Sequence, residues 1–576
     1  MLDEWRRAWR VDARMHAHSG MGTLARRAGR VAVAAALGIA TCAGIGAQER
    51  SAGDEARARA ADYATAMAAC QRTLQAWLRD ADPVTTLMPD RVTGQARVAT
   101  PHNFSADLYP YLILTARFTD PAVYEGRMME ILRNEVRYMT ADGSVPGNYD
   151  IATRTLGPAS LFGAGEYAKD GLITVTELLG RTAWFHRMAD MIADAMERAP
   201  HETRWGRIPA VDSELNGDFL QVLVRLSTMT GDPRYLAWAR RIGDAYVEEV
   251  LPGNFGVPST KWDFVAHGGE TQLRLRDHGN ELVVGLTLLY ALEADLQSDR
   301  AARYGAAVKT MLDRILQSAN PDGMLYNQVD ARTLAPIDRT LSDNWGYVYG
   351  AMYTYYQVTG DTTYRDAVRR VLGNLPKYRR QVWEPRPPDA NLPLGSFDGY
   401  ADAIESALYL VNREPVPAAL DWIESETRLM LDMQRADGHL EDWYGEGNFN
   451  RTLLLWALMK SQGVMPADKA TGLQLGAVRE GDALRLHVGG VGEARLQFDI
   501  ARHRRVINLS KNYVRLNEFP EWFVVEPHWL YRITGSGAAP RLRLGAELMQ
   551  GERFAAGDWT VTPLGPPPYG TRAQEP

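Results

Sequence analysis

The chain has 576 residues, of which 45% are hydrophobic and 23% are charged. This is an ordinary globular balance, and the length allows one large domain and a smaller one. The formal net charge of −7 argues against nucleic acid or an anionic membrane as a partner. Only two cysteines occur, Cys42 and Cys70, so a disulfide framework and a cysteine-based zinc site are both excluded.

The first 47 residues have the layout of a secretory signal peptide. Three arginines precede an apolar run of small residues at 31–43, and a sequence typical of a signal-peptidase site ends at Ala47. The apolar run is short for a membrane-spanning helix, and the residues before Cys42 are a poor lipoprotein motif. We therefore predict an exported protein, periplasmic or extracellular, whose mature part is more acidic than the whole chain.

The next part of the sequence is a repeated pair of helices. An apolar helix with acidic residues near its start ends in a tight turn, and a more charged amphipathic helix follows. Similar turns lie at 118–121, 179–182, 230–233 and 359–362. A glycine C-cap followed by an aspartate N-cap is what a helical hairpin needs. Paired helices are predicted near 105–140, 167–198, 214–251, 278–318, 343–377 and 400–435.

A seventh apolar helix is predicted at 449–462, and it can pair with an amphipathic N-terminal helix at 54–79 to close a ring. Repeats of this size bury one another's faces. The connections into the apolar helices are long and rich in Gly, Trp and acids, as in loops that build a site. We predict a mainly α fold, an (α/α)6 or (α/α)7 toroid of helical hairpins, with an open solenoid as the alternative.

The pattern changes after about Val464. Alternating apolar and polar residues predict short strands at 483–488, 494–499, 522–525 and 559–562. We therefore expect a small C-terminal antiparallel β-sandwich. The predicted organisation is a signal peptide, a toroid catalytic domain, a β-sandwich domain and a loose tail, with boundaries at 1–47, 48–463, 464–565 and 566–576.

The clearest candidate site lies between Leu394 and Pro415. Asp398, Asp402 and Glu405 are spaced i, i+4 and i+7, so they share one face of a helix that is otherwise apolar. Crowded carboxyl groups raise one another's pKa, which suits a general acid. The alternative is an ion pair with an arginine from a neighbouring helix.

Two further inner helices begin with polar clusters. Asp277 and Glu281 lie one turn apart beside His278, and their alternative interpretation is a capping box. Asp343 opens the next inner helix, either as its N-cap or as a reactive carboxylate. Trp345, two residues later, is a candidate platform for sugar stacking or a seal for the hairpin.

Several other residues extend the candidate set. Asp107 and Asp170 open two more inner helices, and we interpret them as caps. His102, Asn103 and Tyr109 form a polar set of the kind that lyases use.

Aromatic residues near the predicted inner-helix starts are candidates for substrate contacts. In the loop around 251–276, Lys261 and Trp262 are candidates for contacting an acidic sugar. The other predicted substrate-binding residues are Trp345, Tyr347, Asp398, Tyr400, Trp443 and Tyr444.

A ring of helical hairpins, C-terminal β-structure, a signal peptide and acids at the inner-helix starts together resemble the (α/α)-toroid carbohydrate-active enzymes. These are the six-hairpin glycosidases and the toroid polysaccharide lyases. The resemblance covers about residues 55–565 and rests on architecture and on motifs such as 277–281 and 342–347. It implies a carbohydrate substrate and catalysis without a cofactor, with a structural calcium left open. The oligomeric state is also left open.

Glycoside hydrolysis needs two carboxyl groups across the scissile bond. We predict a glycoside hydrolase whose catalytic candidates are Asp277, Glu281, Asp343, Asp402, Glu405 and His278. A β-elimination lyase acting on a uronate-containing glycan is the first alternative, since His278, Tyr347 or Tyr400 can serve as its base. A non-catalytic glycan-binding ring is the second.

Overall fold

The computed structural model describes residues 51–94, 96–276, 279–386, 392–469, 471–535 and 537–566. The predicted signal peptide, the candidates Asp277 and His278, and nearly all of the predicted tail lie outside these ranges. None of the helices in the described ranges is long and apolar enough to cross a membrane.

Helices dominate the described residues between 51 and 463. In chain order the helices are α1 (Ala52–Asp80), α2 (Tyr109–Thr119), α3 (Pro121–Val123), α4 (Met129–Met139), α5 (Leu161–Glu166), α6 (Ile173–Leu179), α7 (Ala183–Glu197), α8 (Ser213–Thr230), α9 (Pro233–Ala245), α10 (Leu251–Gly253), α11 (Asn280–Asp295), α12 (Ala301–Ser318), α13 (Trp345–Thr359), α14 (Thr362–Asn374), α15 (Phe397–Val411), α16 (Pro417–Asp432), α17 (Glu446–Ser461), α18 (Arg502–Arg505) and α19 (Gly545–Gln550). Turns of π-helix lie at Phe104–Leu108, Tyr124–Met128, Tyr167–Leu172 and Tyr246–Val250, and a 3-10 turn lies at Leu375–Tyr378.

Burial separates the main helices into two sets. The inner helices α2, α6, α8, α11, α13, α15 and α17 are buried on nearly all sides, and α11 is buried at every position from Asn280 to Glu293. The outer helices α4, α7, α9, α12, α14 and α16 bury one face only. An apolar helix needs cover on all sides, whereas an amphipathic helix needs it on one. The apolar helix of each hairpin therefore lies on the inside of the fold, and the amphipathic helix lies on the outside.

The inner helices close into a ring. Successive inner helices pack against each other, with the π-helical turn before α6 making the contact to α8, and α17 packs against α2. Helix α1 packs on the outside of α17. Because the first and last inner helices are in contact, the toroid prediction is confirmed and the open solenoid is wrong. Seven inner helices follow one another in the described part of the chain.

Close approach of neighbouring inner helices depends on a glycine in α8. A Cβ atom at Gly217 would come within 2.3 Å of the Leu282 backbone nitrogen in α11. Only glycine permits this contact between the two backbones.

In the part of the chain that the structure describes, the strands form four antiparallel sheets. They are β1 (Val98–Ala99), β2 (Thr140–Asp142), β3 (Val145–Asp150), β4 (Thr155–Ala159), β5 (Trp262–Asp263), β6 (Gly268–Gly269), β7 (Gln272–Arg274), β8 (Tyr326–Asp330), β9 (Pro336–Leu341), β10 (Met465–Pro466), β11 (Gln474–Glu480), β12 (Ala483–Gln497), β13 (Leu530–Gly535), β14 (Ala538–Leu544) and β15 (Glu552–Gly565). Strands β1 to β4 form one sheet, β5 pairs with β6, and β7 to β9 form another. These nine strands belong to connections that lead into inner helices, so they lie at the end of the ring where those helices begin.

The C-terminal strands form a single sheet of order β10-β12-β15-β13-β14, with β11 also paired to β12. The predicted strands at 483–488 and 559–562 fall within β12 and β15, but 522–525 makes only an isolated bridge. No second sheet faces this one among the described residues; α1 packs against it instead. A Cβ at Gly476 would lie 1.9 Å from the Ala56 carbonyl oxygen, which shows how closely β11 approaches α1.

The segment between β12 and β13 crosses the end of the ring opposite the small sheets. Its residues 512–518, which we call the plug, hydrogen-bond to six inner helices or to residues just beyond their ends. Thr354 of α13 donates to the Val514 carbonyl at 3.2 Å, and Thr174 of α6 donates to the Asn517 carbonyl at 2.9 Å. Arg225 of α8 donates to the Leu516 carbonyl at 3.2 Å. The plug therefore closes this end of the ring.

Candidate active site

The starts of the inner helices and the connections before them surround a cavity of about 510 Å³. This volume is within the range of small-ligand sites. Most of its lining side chains are charged or aromatic. The lining consists of Arg91, His102, Asn103, Asp107, Phe162, Glu166, Lys169, Asp170, Glu214, Arg276, Glu281, Asn344, Tyr347, Glu384, Arg386, Asp398, Asp402, Trp443, Tyr444, Asn448 and Arg451.

Many of the residues predicted from the sequence meet at this cavity. Those in its lining are Glu281, Asp402, Asp398, Tyr347, Trp443 and Tyr444. Asp343 and Glu405 are fully buried behind lining residues. Arg276 contacts Asp343 at 3.0 Å, and the Tyr347 hydroxyl donates to Glu405 at 2.9 Å. Both buried acids can therefore act on the cavity only through these neighbours.

Three predicted aromatic residues lie elsewhere. Trp345 is fully buried and packs edge-on against Tyr349, with ring centroids 6.2 Å apart. Tyr400 is also fully buried. Trp262 lines a separate cavity of about 590 Å³, where its indole donates to Glu249 at 2.9 Å. A fully buried ring offers no face to a sugar, so Trp345 and Tyr400 cannot contact a ligand in the cavity.

Asp107 and Asp170, which the sequence suggested were helix caps, do not cap helices in the structure. Asp107 lies within the π-helical turn Phe104–Leu108 and Asp170 within the turn Tyr167–Leu172, and neither residue is the N-cap of its helix. The two turns pack against each other. Turns of π-helix are frequent at functional sites because the extra residue changes the direction of the side chains. Here both acids point into the cavity lining.

A buried lysine holds the acids on one side of the cavity. Lys169 Nζ lies 2.9 Å from Asp170, 3.5 Å from Asp218, 3.6 Å from Glu166 and 3.6 Å from Glu281. Four carboxyl groups around one cation repel one another, and this repulsion favours the protonated form of some of them. Burial, together with repulsion from Asp218, raises the pKa of Glu166 well above its usual value, and burial raises the pKa of Asp218 to about 7.

The acids around the cavity differ in their tendency to ionise. Burial alone would raise the pKa of Asp170, but Lys169 and hydrogen bonds from its neighbours outweigh burial and lower it. Burial and repulsion from Asp170 raise the pKa of Asp107 well above its usual value. Burial and repulsion from Asp402 do the same for Asp398. The surroundings of these acids therefore favour ionisation of Asp170 and protonation of Asp107 and Asp398, a contrast that suits general acid–base chemistry.

Arg451 on α17 joins the two deeper acids of α15. Its guanidinium lies 2.6 Å from Asp402 and 2.5 Å from Glu405. This is the ion pair with an arginine of a neighbouring helix that the sequence left open. Burial still raises the pKa of Glu405 to about 8. Of the two acids only Asp402 lines the cavity, so it is the one that can contact a ligand.

The cavity also has a wall of arginines and aromatic rings. Arg276 and Arg386 both lie 3.4 Å from Glu384, and the Arg386 guanidinium lies over the Trp443 ring, 5.2 Å from its centroid. Arg91, which is exposed, also lines the cavity. This wall offers positive charge to a ligand, whereas the Trp443 ring is buried beneath Arg386.

One group of residues in the described ranges has the spacing of a metal site: His439, Asp442 and Glu446. Glu446 Oε1 accepts hydrogen bonds from three backbone N–H groups, at 2.7–2.9 Å. Its Oε2 accepts from the Trp77 indole and pairs with His439 Nδ1, both at 2.8 Å. Because both oxygens are occupied by protein groups, this cluster is organised to hold the loop before α17 and not a metal ion.

The same cluster predicts a pH dependence of stability. His439 Nε2 lies 2.8 Å from Asp80. Burial alone would lower the pKa of His439, but hydrogen bonds to Glu446 and Asp80 outweigh burial and raise it. The stabilisation is therefore fully present below the unfolded pKa of about 6.5, and is lost as the pH rises through the folded pKa. We expect the thermal midpoint to fall over that interval.

Thermal unfolding at a series of pH values would test this expectation. His439→Gln should flatten the profile above about pH 6.5. His528→Gln is the matched control because His528 is exposed, and it should leave the profile unchanged. Parallel profiles for His439→Gln and the unmodified protein would contradict the assignment.

Among known proteins, matches to this chain come from solved structures. No protein-family model matches the chain, and no curated protein sequence matches it. Solved structures similar to it include an unsaturated glucuronyl hydrolase from a Bacillus species. This match has 11% identity and a TM-score of 0.37, and it covers 55% of this chain and 89% of that one.

Two other similar structures are sugar-active proteins. A family 76 mannosidase from Bacteroides thetaiotaomicron has 11% identity and a TM-score of 0.39, covering 68% of this chain and 98% of that one. A cellobiose 2-epimerase from Bacillus thermoamylovorans has 10% identity and a TM-score of 0.39, covering 54% and 87%. TM-scores this low carry no argument about the reaction or the substrate. Any such argument must come from the residues of the cavity.

Proposed function

We propose that this protein is an exported glycoside hydrolase whose active site is the 510 Å³ cavity. The observation that carries the proposal is that Asp107, Asp170 and Asp398 all line that cavity, with Lys169 Nζ 2.9 Å from Asp170. The pKa of Asp170 is lowered, whereas the pKa values of Asp107 and Asp398 are raised. Hydrolysis of a glycosidic bond needs one proton donor and one carboxylate that activates water or attacks the anomeric carbon.

The proposed roles follow from these protonation states. Asp107 or Asp398 donates its proton to the glycosidic oxygen as the bond to the anomeric carbon breaks. Asp170 accepts a proton from the water that adds to that carbon, or attacks the carbon first and is released by water. Lys169 keeps Asp170 ionised before the reaction. Asp402, held by Arg451, contacts the sugar beside the reacting centre.

Aromatic rings and amides around the acids suit a sugar. Tyr444 lines the cavity and is only half-buried, so the face of its ring can pack against sugar C–H groups. Asn103 and Asn448 also line it and supply amide groups for hydroxyls. Arg91 and Arg386 supply positive charge, which favours a glycan that contains uronate.

We further propose that the enzyme acts at a chain end. The plug residues Arg515, Asn517 and Glu518 are at most 1% exposed. They close the ring on the side of Asp170 that faces away from the cavity mouth. A polysaccharide can then enter from the mouth only, with its terminal units reaching the acids. The expected early products are mono- or disaccharides, with little fall in the viscosity of a polymer substrate.

A lyase acting on a uronate-containing glycan is the second candidate, and His102 favours it. Burial lowers the pKa of His102, so its imidazole is neutral, and Nδ1 has no hydrogen-bond partner among the described residues. In β-elimination this nitrogen would take the C5 proton, while the C4–oxygen bond breaks and a C4–C5 double bond forms. Tyr347 is less suited to be the base, because burial raises its pKa and its hydroxyl already donates to Glu405.

A screen of the purified protein against neutral and acidic polysaccharides and oligosaccharides would test these functions. Reducing ends and ultraviolet absorbance are measured on the same samples. New reducing ends alone would support the hydrolase, whereas an unsaturated uronate that absorbs in the ultraviolet would support the lyase. Binding without either signal would favour the non-catalytic ring. We expect Asp170→Asn to abolish the hydrolase signal and His102→Gln to leave most of it.

A further inference from the structure

The plug carries one side chain that connects the acids on opposite sides of the cavity. Asn517 is 1% exposed. Its Nδ2 donates to Asp170 Oδ1 at 2.6 Å, and its Oδ1 accepts from Arg451 Nη1 at 3.4 Å. An amide has one donating and one accepting end, so the carboxylate and the guanidinium together fix its orientation.

Two further hydrogen bonds hold Asn517 in place, one at its backbone and one at its side-chain amide. Its carbonyl oxygen accepts from the Thr174 hydroxyl at 2.9 Å, and its Nδ2 also reaches the Lys169 carbonyl at 3.3 Å. Its φ of +56° is in the left-handed region, where Asn costs less than most residues. The residue of the plug that contacts Asp170 therefore also has an uncommon backbone conformation.

We infer that Asn517 is a positioning residue for the reaction: it fixes Asp170 Oδ1 directly and orients Asp402 through Arg451. The contact joins residues that are 347 positions apart in sequence. It makes the segment after β12 part of the active site and not only a cover for the ring. The inference rests on the proposed function, in which Asp170 reacts.

The physical consequence concerns the carboxylate form of Asp170. A hydrogen bond donated to an ionised oxygen favours the ionised form. Without the amide, the acidic limb of the kcat/KM profile should move to higher pH. Because Asn517 does not line the cavity, its loss should lower kcat much more than it changes KM.

The test uses Asn517→Gly, which removes the amide and keeps the left-handed backbone accessible. We expect kcat to fall by about tenfold to a hundredfold, KM to change by less than about threefold, and the acidic limb to shift upward. Asn508→Gly is the matched control. Asn508 has a φ of +64°, is exposed, and donates to the Thr228 carbonyl at 3.4 Å. This control should keep the original profile.

Two further variants keep the outcome unambiguous. Retained turnover in Asp170→Asn would contradict the proposed function itself. Loss of turnover in Asp170→Asn with an unchanged profile in Asn517→Gly would overturn only the role of Asn517. If Asn517→Gly does not fold, Thr174→Val removes the bond to the Asn517 carbonyl without changing a cavity side chain. It should shift the acidic limb in the same direction by less, and an unshifted limb there would overturn the inference.

Discussion

Replacing Asp170 with Asn should reduce turnover by about 10²–10⁴-fold, the usual contribution of a positioned acid or base. The amide keeps the shape of the carboxylate but can neither accept a proton nor attack carbon. Lys169, 2.9 Å from the Asp170 carboxylate, remains close to three other acids, so the surrounding structure should stay folded. Substrate affinity, measured by titration calorimetry, should change only a few-fold.

The matched control is Asp361→Asn. Asp361 caps α14 at an exposed position and accepts from the Thr363 N–H at 3.1 Å. Asparagine caps helices about as well as aspartate, so this variant should keep activity and stability. If Asp170→Asn retains more than about half of the original turnover, the carboxyl group has no part in the reaction and the cluster around Lys169 is structural.

The identity of the proton donor can be separated from that of the base. Loss of a general acid matters less when the leaving group is already acidic, as in an aryl glycoside. Asp107→Asn and Asp398→Asn should therefore be compared on an aryl glycoside and on a natural linkage. The donor is the residue whose replacement harms only the natural linkage. Asp277→Asn and His278→Gln extend the same comparison to the two candidates outside the described ranges.

The helical ring could be predicted from the sequence because the signal is local and repeated. Apolar and amphipathic helices alternate, and turns such as 230–233 and 359–362 separate them, so burial and hairpin order both follow. The element that covers the C-terminal strands could not be predicted in this way. An alternating strand reveals that one face is buried, but the partner may equally be a sheet or a helix. Here α1 is the partner, and Gly476 lets it approach.

The site could be predicted only in part for a similar reason. The spacing of Asp398, Asp402 and Glu405 is visible within one helix. The positions of Asp107 and Asp170 in the cavity lining could not be predicted, because a π-helical turn shifts the phase of a helix without a sequence signature. The cations that contact these acids, Lys169 and Arg451, could not be predicted either. Each cation contacts an acid from another hairpin, and the amide on Asp170 comes from the plug, hundreds of residues away.

Arg515→Met should lower the free energy of unfolding by about 3–5 kcal/mol, as expected when one partner of a buried ion network is removed. The Arg515 side chain is fully buried. It lies 3.2 Å from Glu177 and 2.9 Å from Glu518, and Arg225 lies 2.9 Å from Glu177. Methionine fills part of the space but leaves Glu177 and Glu518 with less compensating charge in the closed end of the ring. Denaturant-induced unfolding followed by circular dichroism would measure the change.

The control for Arg515 is Arg479→Met on β11. Arg479 is exposed and lies 3.9 Å from Asp482, a surface pair worth about 0–1 kcal/mol. Adding Glu177→Gln to Arg515→Met should cost less than the sum of the single changes, since it removes the charge left uncompensated. Equal losses for Arg515→Met and Arg479→Met would contradict a stabilising network. Because Asn517 is two residues from Arg515, loosening the plug should also lower kcat, which would connect the stability of the ring's closed end to the reaction at its open end.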